Sequence, residues 1–388
     1  MSAALASGVL IAVLVSDDPQ RRIGQAEQLE PTRPERLNES RDDIGSLPSG
    51  PATVDTDLIV PGGPPPDGIP PIDDPKFVDA AGLRWLAGRE PVLSVELRGE
   101  AKAYPVRILM WHEIVNDRIG GEPVTVTYCP LCNTGIAFRR PTIDGKLLDF
   151  GTSGRLFHSN LVMYDRQTGT YWAQASLEAI VGRLAGRRLS PVPAQIVSWA
   201  DWRAAHPAGR VLSQDTGFDR PYGQNPYQGY DSPGSDPFAF SGEPDPRLPP
   251  TARVLGLNLA DRQVAFPYRE LAATAATGFA AVQTQVGRQD VVVFWKQGTA
   301  SALDQPEIAA SVDVGSATAY QPRSSGRLLH FEATPEGIVD EETGSTWDVL
   351  GRAVEGQLRG ERLPALPAVD HFWFSWAAFY PHTTIHRT

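Results

Sequence analysis

Alternating apolar and polar positions predict short β-strands over much of the chain after residue 76. The clearest alternation covers residues 124–129, and further strands are predicted near residues 135–138, 147–150 and 161–164. A hairpin is predicted over residues 92–105, with its turn at Arg98-Gly99-Glu100, followed by one short helix over residues 106–115. The pattern therefore predicts an α+β fold in which antiparallel strands predominate.

Several motifs recur later in the chain, which is typical of an internal duplication. Ala-Tyr-Pro at residues 103–105 returns as Ala-Phe-Pro at residues 265–267, and Asp165 with Trp172 returns as Asp340 with Trp347. The repeat predicts two tandem related modules, at residues 76–210 and 251–388, joined by a turn-rich insertion at residues 211–250. Aromatic residues in this insertion include Tyr222, Tyr227, Tyr230, Phe238 and Phe240.

The start of the chain resembles a targeting segment. Residues 3–15 are almost wholly apolar and are followed by Ser16-Asp17-Asp18, although no Lys or Arg precedes Arg21. We assign residues 1–16 to a signal-like or anchor segment and expect an extracytoplasmic protein that is secreted, periplasmic or membrane-tethered. The alternative is a cytoplasmic protein with an apolar start. Residues 17–75 are rich in Pro, Asp, Arg and Gly, which predicts a disordered tether.

Composition narrows the function classes. The 388-residue chain carries a net charge of -11, and its sequence has no cluster of Lys and Arg that could neutralise phosphates, so we expect no nucleic-acid partner. The sequence also contains no Gly-rich phosphate loop, no Gly-x-Ser-x-Gly motif and no His-Glu-x-x-His motif. Common nucleotide-binding and hydrolase functions are therefore disfavoured, and whether the protein is an enzyme stays open.

Cys129 and Cys132 are the only two cysteines in the sequence, and they follow the predicted strand at residues 124–129. Two thiolates at this spacing can bind one soft or borderline metal from a single loop, and an imidazole can supply a third ligand. His112 is the candidate for that third ligand. Because thiolates are soft, we expect a copper or zinc ion bound by His112, Cys129 and Cys132.

Aligning the two modules places this site in the first one. The positions of His112, Cys129 and Cys132 are taken in the second module by Thr274, Trp295 and Gly298. We therefore expect the second module to be degenerate, which means that it lacks the three site residues of the first. The fourth ligand is left open between Met163, His158 and a free coordination position.

Two other functions fit the same sequence. The cysteine pair is also typical of a thiol-disulfide oxidoreductase, although no helix is predicted directly after it to activate the first thiol. An inert structural disulfide is a further interpretation of the pair. A non-catalytic protein would instead use the groove between the modules, with the aromatic insertion, to recognise a carbohydrate or peptide.

Three longer motifs resemble a known family. They are Trp-His-Glu-Ile-Val-Asn-Asp at residues 111–117, Thr-Tyr-Cys-Pro-Leu-Cys at residues 127–132, and Asn-Leu-Val-Met-Tyr-Asp-Arg-Gln-Thr at residues 160–168. Together they resemble the bacterial and archaeal family called domain of unknown function 3179, strongly over residues 75–207 and weakly over the second module. The resemblance implies export but no defined activity, and the His and Cys pattern of the family falls on His112, Cys129 and Cys132.

Overall fold

The computed structural model describes residues 45–259 and 262–387. Strands paired almost entirely in antiparallel fashion are the predominant regular structure in this part of the chain, and the four α-helices within it have seven residues each. The predicted α+β fold with predominantly antiparallel strands is therefore confirmed. None of the helices in the described ranges is long and apolar enough to span a membrane.

The first half of the chain contains these elements in order: β1 (Ile59–Pro61), β2 (Phe77–Asp79), β3 (Pro91–Leu97), β4 (Glu100–Pro105), α1 (Val106–His112), β5 (Ile114–Ile119), β6 (Glu122–Cys129), β7 (Thr134–Arg139), β8 (Thr142–Ile143), β9 (Lys146–Leu147), β10 (Phe150–Phe157), β11 (Asn160–Asp165), β12 (Tyr171–Ala173), β13 (Glu178–Val181), β14 (Ser190–Val192), β15 (Ala194–Ser198), α2 (Trp199–Ala205) and β16 (Arg210–Leu212).

The second half contains β17 (Arg253–Leu259), β18 (Arg262–Pro267), α3 (Tyr268–Thr274), β19 (Phe279–Val286), β20 (Gln289–Lys296), β21 (Ser316–Tyr320), β22 (Arg323–Ser324), β23 (Arg327–Leu328), β24 (Phe331–Thr334), β25 (Gly337–Asp340), β26 (Thr346–Trp347), β27 (Ala353–Glu355), β28 (Ala368–Phe372), α4 (Trp373–Phe379) and β29 (Thr384–Ile385). Short 3-10 helices lie at Thr56–Leu58, Pro130–Cys132 and Ile308–Ala310.

The predicted hairpin and helix are present at the start of the first half. Arg98 and Gly99 form the two-residue turn between β3 and β4. Their φ angles are +51° and +81°, and a type I′ turn requires positive φ at both positions. Helix α1 then begins directly after β4. It ends at His112, before the predicted boundary at residue 115, because Glu113 has a φ of +57° that a helix does not accommodate.

Strand β6 is the centre of the first half. It pairs with β5 on one side and β7 on the other, in a sheet of order β14-β7-β6-β5. Two further sheets, of orders β15-β3-β4-β16-β2 and β1-β10-β11-β12-β13, and the two-stranded pair β8-β9 complete this half. Strand β6 is buried from Val124 to Cys129, so its alternating sequence faces protein on both sides.

The second half has a similar local order of elements. A hairpin, a short helix and a three-stranded sheet follow one another as β17-β18, α3 and β19-β20-β21. The largest apolar cluster joins the two halves, because Leu93 and Phe138 belong to the same cluster as Phe372 and Phe374. The halves are therefore packed around a shared core, and their origin by duplication stays a prediction.

The segment predicted as a disordered tether is ordered where the structure describes it. Strand β1 pairs with β10, the backbone N–H of Gly62 donates to the carbonyl of Gly154 at 2.8 Å, and Ile72 exchanges backbone hydrogen bonds with Ile114 and Asn116. The prediction is wrong for residues 45–75, because a few buried side chains and hydrogen bonds to strand edges hold a polar, Pro-rich segment in place. Residues 1–44, including the predicted signal-like segment, lie outside the described residues.

A buried Asp and Trp pair organises the same turn in each half. The Asp165 carboxylate accepts hydrogen bonds from the backbone N–H of Thr168 at 2.6 Å and from Nε1 of Trp172 at 3.0 Å. Asp340 accepts a bond from Nε1 of Trp347 at 2.9 Å, and both carboxylates are fully buried. These repeated residues therefore stabilise turns, as their presence in both halves suggests.

Replacing either carboxylate should be strongly destabilising. We expect Asp165→Ala and Asp340→Ala each to lower the free energy of unfolding by about 3 kcal/mol, because each leaves buried donors without an acceptor. Urea unfolding measures the loss. The control is Asp79→Ala, which removes an exposed carboxylate paired with Arg210 and should cost less than about 0.5 kcal/mol. Similar losses in all three variants would contradict this role.

Asp370 in β28 is a further buried carboxylate, and it contacts the first residue of α3. The Tyr268 hydroxyl donates to Asp370, and burial raises the pKa of the Asp370 carboxyl to about 7. The folded protein therefore holds a proton on Asp370 over a pH range in which the unfolded chain has released it.

We expect Asp370→Asn to remove a pH dependence of stability. The unfolded carboxyl releases its proton near pH 4, so the wild type loses up to about 4 kcal/mol of stability as the pH rises from about 4 to 7. The stability of the Asn variant relative to the wild type should rise over that window and stay level above it. Urea unfolding between pH 4 and 8 measures the difference, and a difference that does not vary with pH would contradict the expectation.

Candidate functional site

The cysteine pair occupies a tight connection between two buried strands. Cys129 is the last residue of β6, Cys132 ends the 3-10 turn at Pro130–Cys132, and the left-handed backbone of Asn133 returns the chain to β7. Cys129 then lies opposite Thr134 in the β6–β7 ladder. Both thiols are free and almost fully buried, at 1% and 0% exposure. The loop therefore delivers two adjacent thiols into the core.

The two thiols share one set of polar neighbours. The carbonyl oxygen of Ser159 accepts from Sγ of Cys132 at 3.4 Å and lies 4.0 Å from Sγ of Cys129. The backbone N–H groups of Leu161 and Cys132 lie near the Cys129 sulfur. Burial raises the pKa of the Cys129 thiol well above its usual range, and the neighbouring Cys132 raises it further. Cys129 is therefore held as a neutral thiol in this conformation.

The carbonyl that contacts the thiols is presented by a strained turn. His158 and Ser159 connect β10 to β11 with φ angles of +52° and +62°, although neither is glycine. A left-handed backbone at a residue other than glycine costs on the order of 1–3 kcal/mol and persists only where the surroundings enforce it. Nδ1 of His158 and Oγ of Ser159 are buried and have no hydrogen-bond partner within residues 45–259 and 262–387. A strained turn therefore presents the carbonyl of Ser159 to the cysteine pair.

Glu113 also lies at this site. It belongs to the motif at residues 111–117, but it is not one of the predicted site residues. Its backbone carbonyl accepts from the N–H of Tyr128, which fixes Glu113 beside the end of β6. Burial raises the pKa of the Glu113 carboxyl well above its usual range, and the negative charge of an ionised Cys129 adds to that effect. Glu113 is therefore an ionisable neighbour of the thiols, and a carboxyl near the end of the helix predicted over residues 106–115 carries no sequence signal of this placement.

His112 is not joined to the cysteines. Its Nδ1–H donates to the carbonyl of Pro70 at 2.7 Å, so Nε2 carries the lone pair and accepts from the Tyr222 hydroxyl at 2.5 Å. Burial lowers the pKa of the imidazole to about 4, which keeps it neutral at pH 7. The nitrogen lone pair that would bind a metal is therefore already used by Tyr222.

The predicted three-ligand site of His112, Cys129 and Cys132 is therefore not formed. Across the parts of the chain that the structure describes, no three His, Cys, Asp or Glu side chains are arranged to hold a metal ion. The candidate fourth ligands, Met163 and His158, do not complete a metal site either. Met163 is buried in the apolar core, and the ring of His158 packs against Phe157 and Phe379. The physical reason is that both ring nitrogens of His112 are already hydrogen-bonded, Nδ1 to the carbonyl of Pro70 and Nε2 to the hydroxyl of Tyr222.

The turn-rich insertion covers the cysteine pair. Tyr227 belongs to the central apolar cluster, and Tyr222 and Tyr230 pack against that cluster. Burial raises the pKa of the Tyr227 and Tyr230 hydroxyls, and negative charge on Cys129 raises both further. The insertion therefore closes the site, a contact that its Gly- and Pro-rich sequence does not reveal.

Together these features define a strand-rich protein with a buried, unlinked cysteine pair under a folded insertion. A family model described as protein of unknown function (DUF3179) matches residues 66–383. Because this match covers most of the chain, the chain belongs to that family, and the resemblance inferred from the motifs is confirmed. No curated protein and no solved structure is significantly similar to the chain.

Loosening the cover should expose the thiols. The Tyr222 hydroxyl bridges Nε2 of His112 and Oγ1 of Thr216, the latter at 2.6 Å. We expect Tyr222→Phe to speed alkylation of the native cysteines by about tenfold, since an unpartnered buried imidazole nitrogen costs about 1–3 kcal/mol. Mass spectrometry of iodoacetamide-treated protein follows the rate.

The matched control is Tyr164→Phe, which removes a hydroxyl that donates to Asp67 at 2.7 Å, away from the insertion. This variant should alkylate at the wild-type rate. Equal rates in all three proteins, or equal acceleration in both variants, would show that the Tyr222 contact does not control access.

Proposed function

We propose that Cys129 and Cys132 form a redox-active dithiol that exchanges with the disulfide of a partner. The observation that carries this proposal is the placement of two free thiols on one tight turn, where the carbonyl oxygen of Ser159 lies 3.4 Å from Sγ of Cys132 and 4.0 Å from Sγ of Cys129. Two thiols so placed can form and break a disulfide with little movement of the backbone, because the turn already brings the sulfur atoms together. Thiol-disulfide oxidoreductase is therefore the function that this arrangement supports best.

The neighbours of the pair supply what the exchange requires. One cysteine loses its proton and attacks a partner sulfur, which breaks the partner S–S bond and leaves a mixed disulfide. The second cysteine then attacks the first, so that the pair becomes a disulfide and the partner leaves as a dithiol with two electrons and two protons. The backbone N–H groups at the Cys129 sulfur favour its thiolate. Glu113 lies beside Cys129 and is the ionisable side chain that can exchange a proton with its thiol.

The insertion that covers the cysteine pair controls when a partner can reach the thiols. A buried thiol cannot reach a partner disulfide, so exchange requires the insertion residues around Tyr222, Tyr227 and Tyr230 to move away. The proposal therefore includes an opening step before each exchange. It applies to disulfides of small molecules and of proteins alike, because the contacts that support it belong to the thiols and not to a substrate surface.

The test is equilibration of the full-length protein in buffers of oxidised and reduced glutathione, followed by alkylation and mass analysis. We expect one two-electron transition that is lost in Cys129→Ser and in Cys132→Ser. Glu113→Gln should slow the approach to equilibrium by about tenfold or more, since a positioned acid–base group contributes at least that much. Glu90→Gln, which changes a buried carboxyl paired with Arg107, should leave the rate unchanged.

Failure of the pair to form a disulfide at any glutathione ratio, in the wild type and in Tyr222→Phe, would refute the redox function. A normal transition with an unchanged rate in Glu113→Gln would retain the dithiol and remove Glu113 from the mechanism. The two results are distinguishable because the first concerns the equilibrium and the second only the rate.

A soft metal held by the two thiolates is the second candidate, supported by the N–H groups directed at the Cys129 sulfur. Cys129 and Cys132 would be its ligands, with copper(I) suited to two thiolates and zinc requiring further ligands. Metal analysis of protein purified without an affinity tag separates it from the first candidate. A bound metal that is lost in the Cys129→Ser and Cys132→Ser double variant but retained in His112→Asn supports it.

The proposal also covers the compartment in which the protein works and the relation between its two halves. We infer an extracytoplasmic protein from the apolar residues 3–15, and an oxidising compartment is where a disulfide-exchanging pair operates. We also infer two related modules, of which only the first carries the cysteines. The matching bonds of Asp165 to Trp172 and of Asp340 to Trp347 support that relation.

A further inference from the structure

A cavity of about 220 Å³ lies between the two halves, on strands next to the cysteine turn but separate from the cover formed by the insertion. Its wall is built by β7 and β14 of the first half and by β28 and α4 of the second. Apolar side chains dominate this wall. They include Leu177, Leu189, Val192, Val369 and Trp376. A concave, mostly apolar space with few polar groups is the usual form of a small-molecule site.

His371 is the buried polar group of this cavity. It is 1% exposed, lines the cavity and packs its ring 5.4 Å from that of Trp376. Its Nδ1 lies 2.9 Å from Oγ1 of Thr134, and the same Thr134 hydroxyl lies 3.1 Å from the carbonyl oxygen of Cys132. These three groups form a chain of hydrogen bonds from the cysteine turn to the cavity.

The chain of bonds fixes the tautomer of His371. The single hydroxyl proton of Thr134 donates to the buried carbonyl of Cys132, which needs a donor. Oγ1 of Thr134 therefore accepts, and Nδ1 of His371 carries the proton that it donates. Nε2 is left with a lone pair and has no hydrogen-bond partner in residues 45–259 and 262–387. Burial lowers the pKa of this imidazole to about 3, so the lone pair is present at neutral pH.

Charges at the edge of the cavity are already paired. Arg188 forms an ion pair with Glu178 at 2.9 Å, with most of the Arg188 side chain in solvent. Oδ1 of Asn258 accepts from Nε2 of Gln263 at 3.1 Å. An anionic ligand would meet the Nε2 lone pair without a free cation inside the cavity to compensate, so the inner wall favours a neutral ligand.

We propose that this cavity binds a small, neutral and mostly apolar molecule that carries one O–H or N–H group, which donates to Nε2 of His371. The apolar wall supplies the affinity, and the single acceptor supplies the selection for a donor. The site is independent of the redox reaction proposed above, because none of its lining residues is a cysteine or part of the insertion. A hydroxyl-bearing aromatic or aliphatic compound is the class of ligand that fits.

The experiment compares phenol with toluene, which has nearly the same shape and no donor. Titration of the full-length protein by isothermal calorimetry should give a phenol affinity about fivefold higher than that of toluene, the contribution of one neutral hydrogen bond. In His371→Phe the two affinities should become equal. Val369→Trp, which fills the cavity from the same face of β28 as His371, should abolish binding of both compounds.

A spectroscopic measurement keeps the proposal testable if His371→Phe does not fold. In wild-type protein labelled with ¹⁵N at histidine, phenol but not toluene should shift the Nε2 resonance of His371 in the direction of an acceptor that gains a hydrogen bond. The proposal is overturned if neither compound binds the wild type, if both bind equally without a shift at Nε2, or if binding persists in Val369→Trp.

Discussion

Burial of strand β6 between β5 and β7 is the constraint on which the rest of this structure depends. This strand has partners on both edges and protein on both faces, and the two cysteines at its end and in the turn that follows stay in the core. Cys129 and Cys132 are those residues. Their burial then determines the chemistry around them, because a thiol in the core needs polar neighbours that only backbone groups and nearby side chains can supply. Ser159, Leu161 and Glu113 supply them.

Local sequence signals were sufficient for much of this architecture. The alternation at residues 124–129, the Arg98-Gly99 turn and the prominence of a lone cysteine pair depend on neighbouring residues, and the structure has each of them where they were predicted. The absence of a His112, Cys129 and Cys132 cluster was not predictable in this way, since it depends on which groups bind the two ring nitrogens of His112. The partner that occupies Nε2 of His112 is Tyr222, which lies far away in sequence. Composition also failed for residues 45–75, where backbone hydrogen bonds to distant strands impose order that hydrophobicity does not indicate.

The two halves show how similar strand arrangements can serve different ends. Strand β20 lies between β19 and β21 much as β6 lies between its neighbours, and Trp295 stands near its end. An indole there fills space, whereas the sulfur atoms at the end of β6 leave room for polar contacts and for the tyrosines of the insertion. At this position the two halves therefore differ in a few side chains carried on a similar arrangement of strands.

The single imidazole of His112 fastens two segments at once, the N-terminal segment through Pro70 and the insertion through Tyr222. This has a consequence for the order of events during synthesis on the ribosome. The cysteines emerge well before Tyr222, Tyr227 and the Phe372–Phe374 part of the core exist, so the growing chain exposes a thiol pair that the finished protein encloses. The pair is therefore open to solvent in the nascent chain, and the insertion removes that access only when it folds over the cysteine turn.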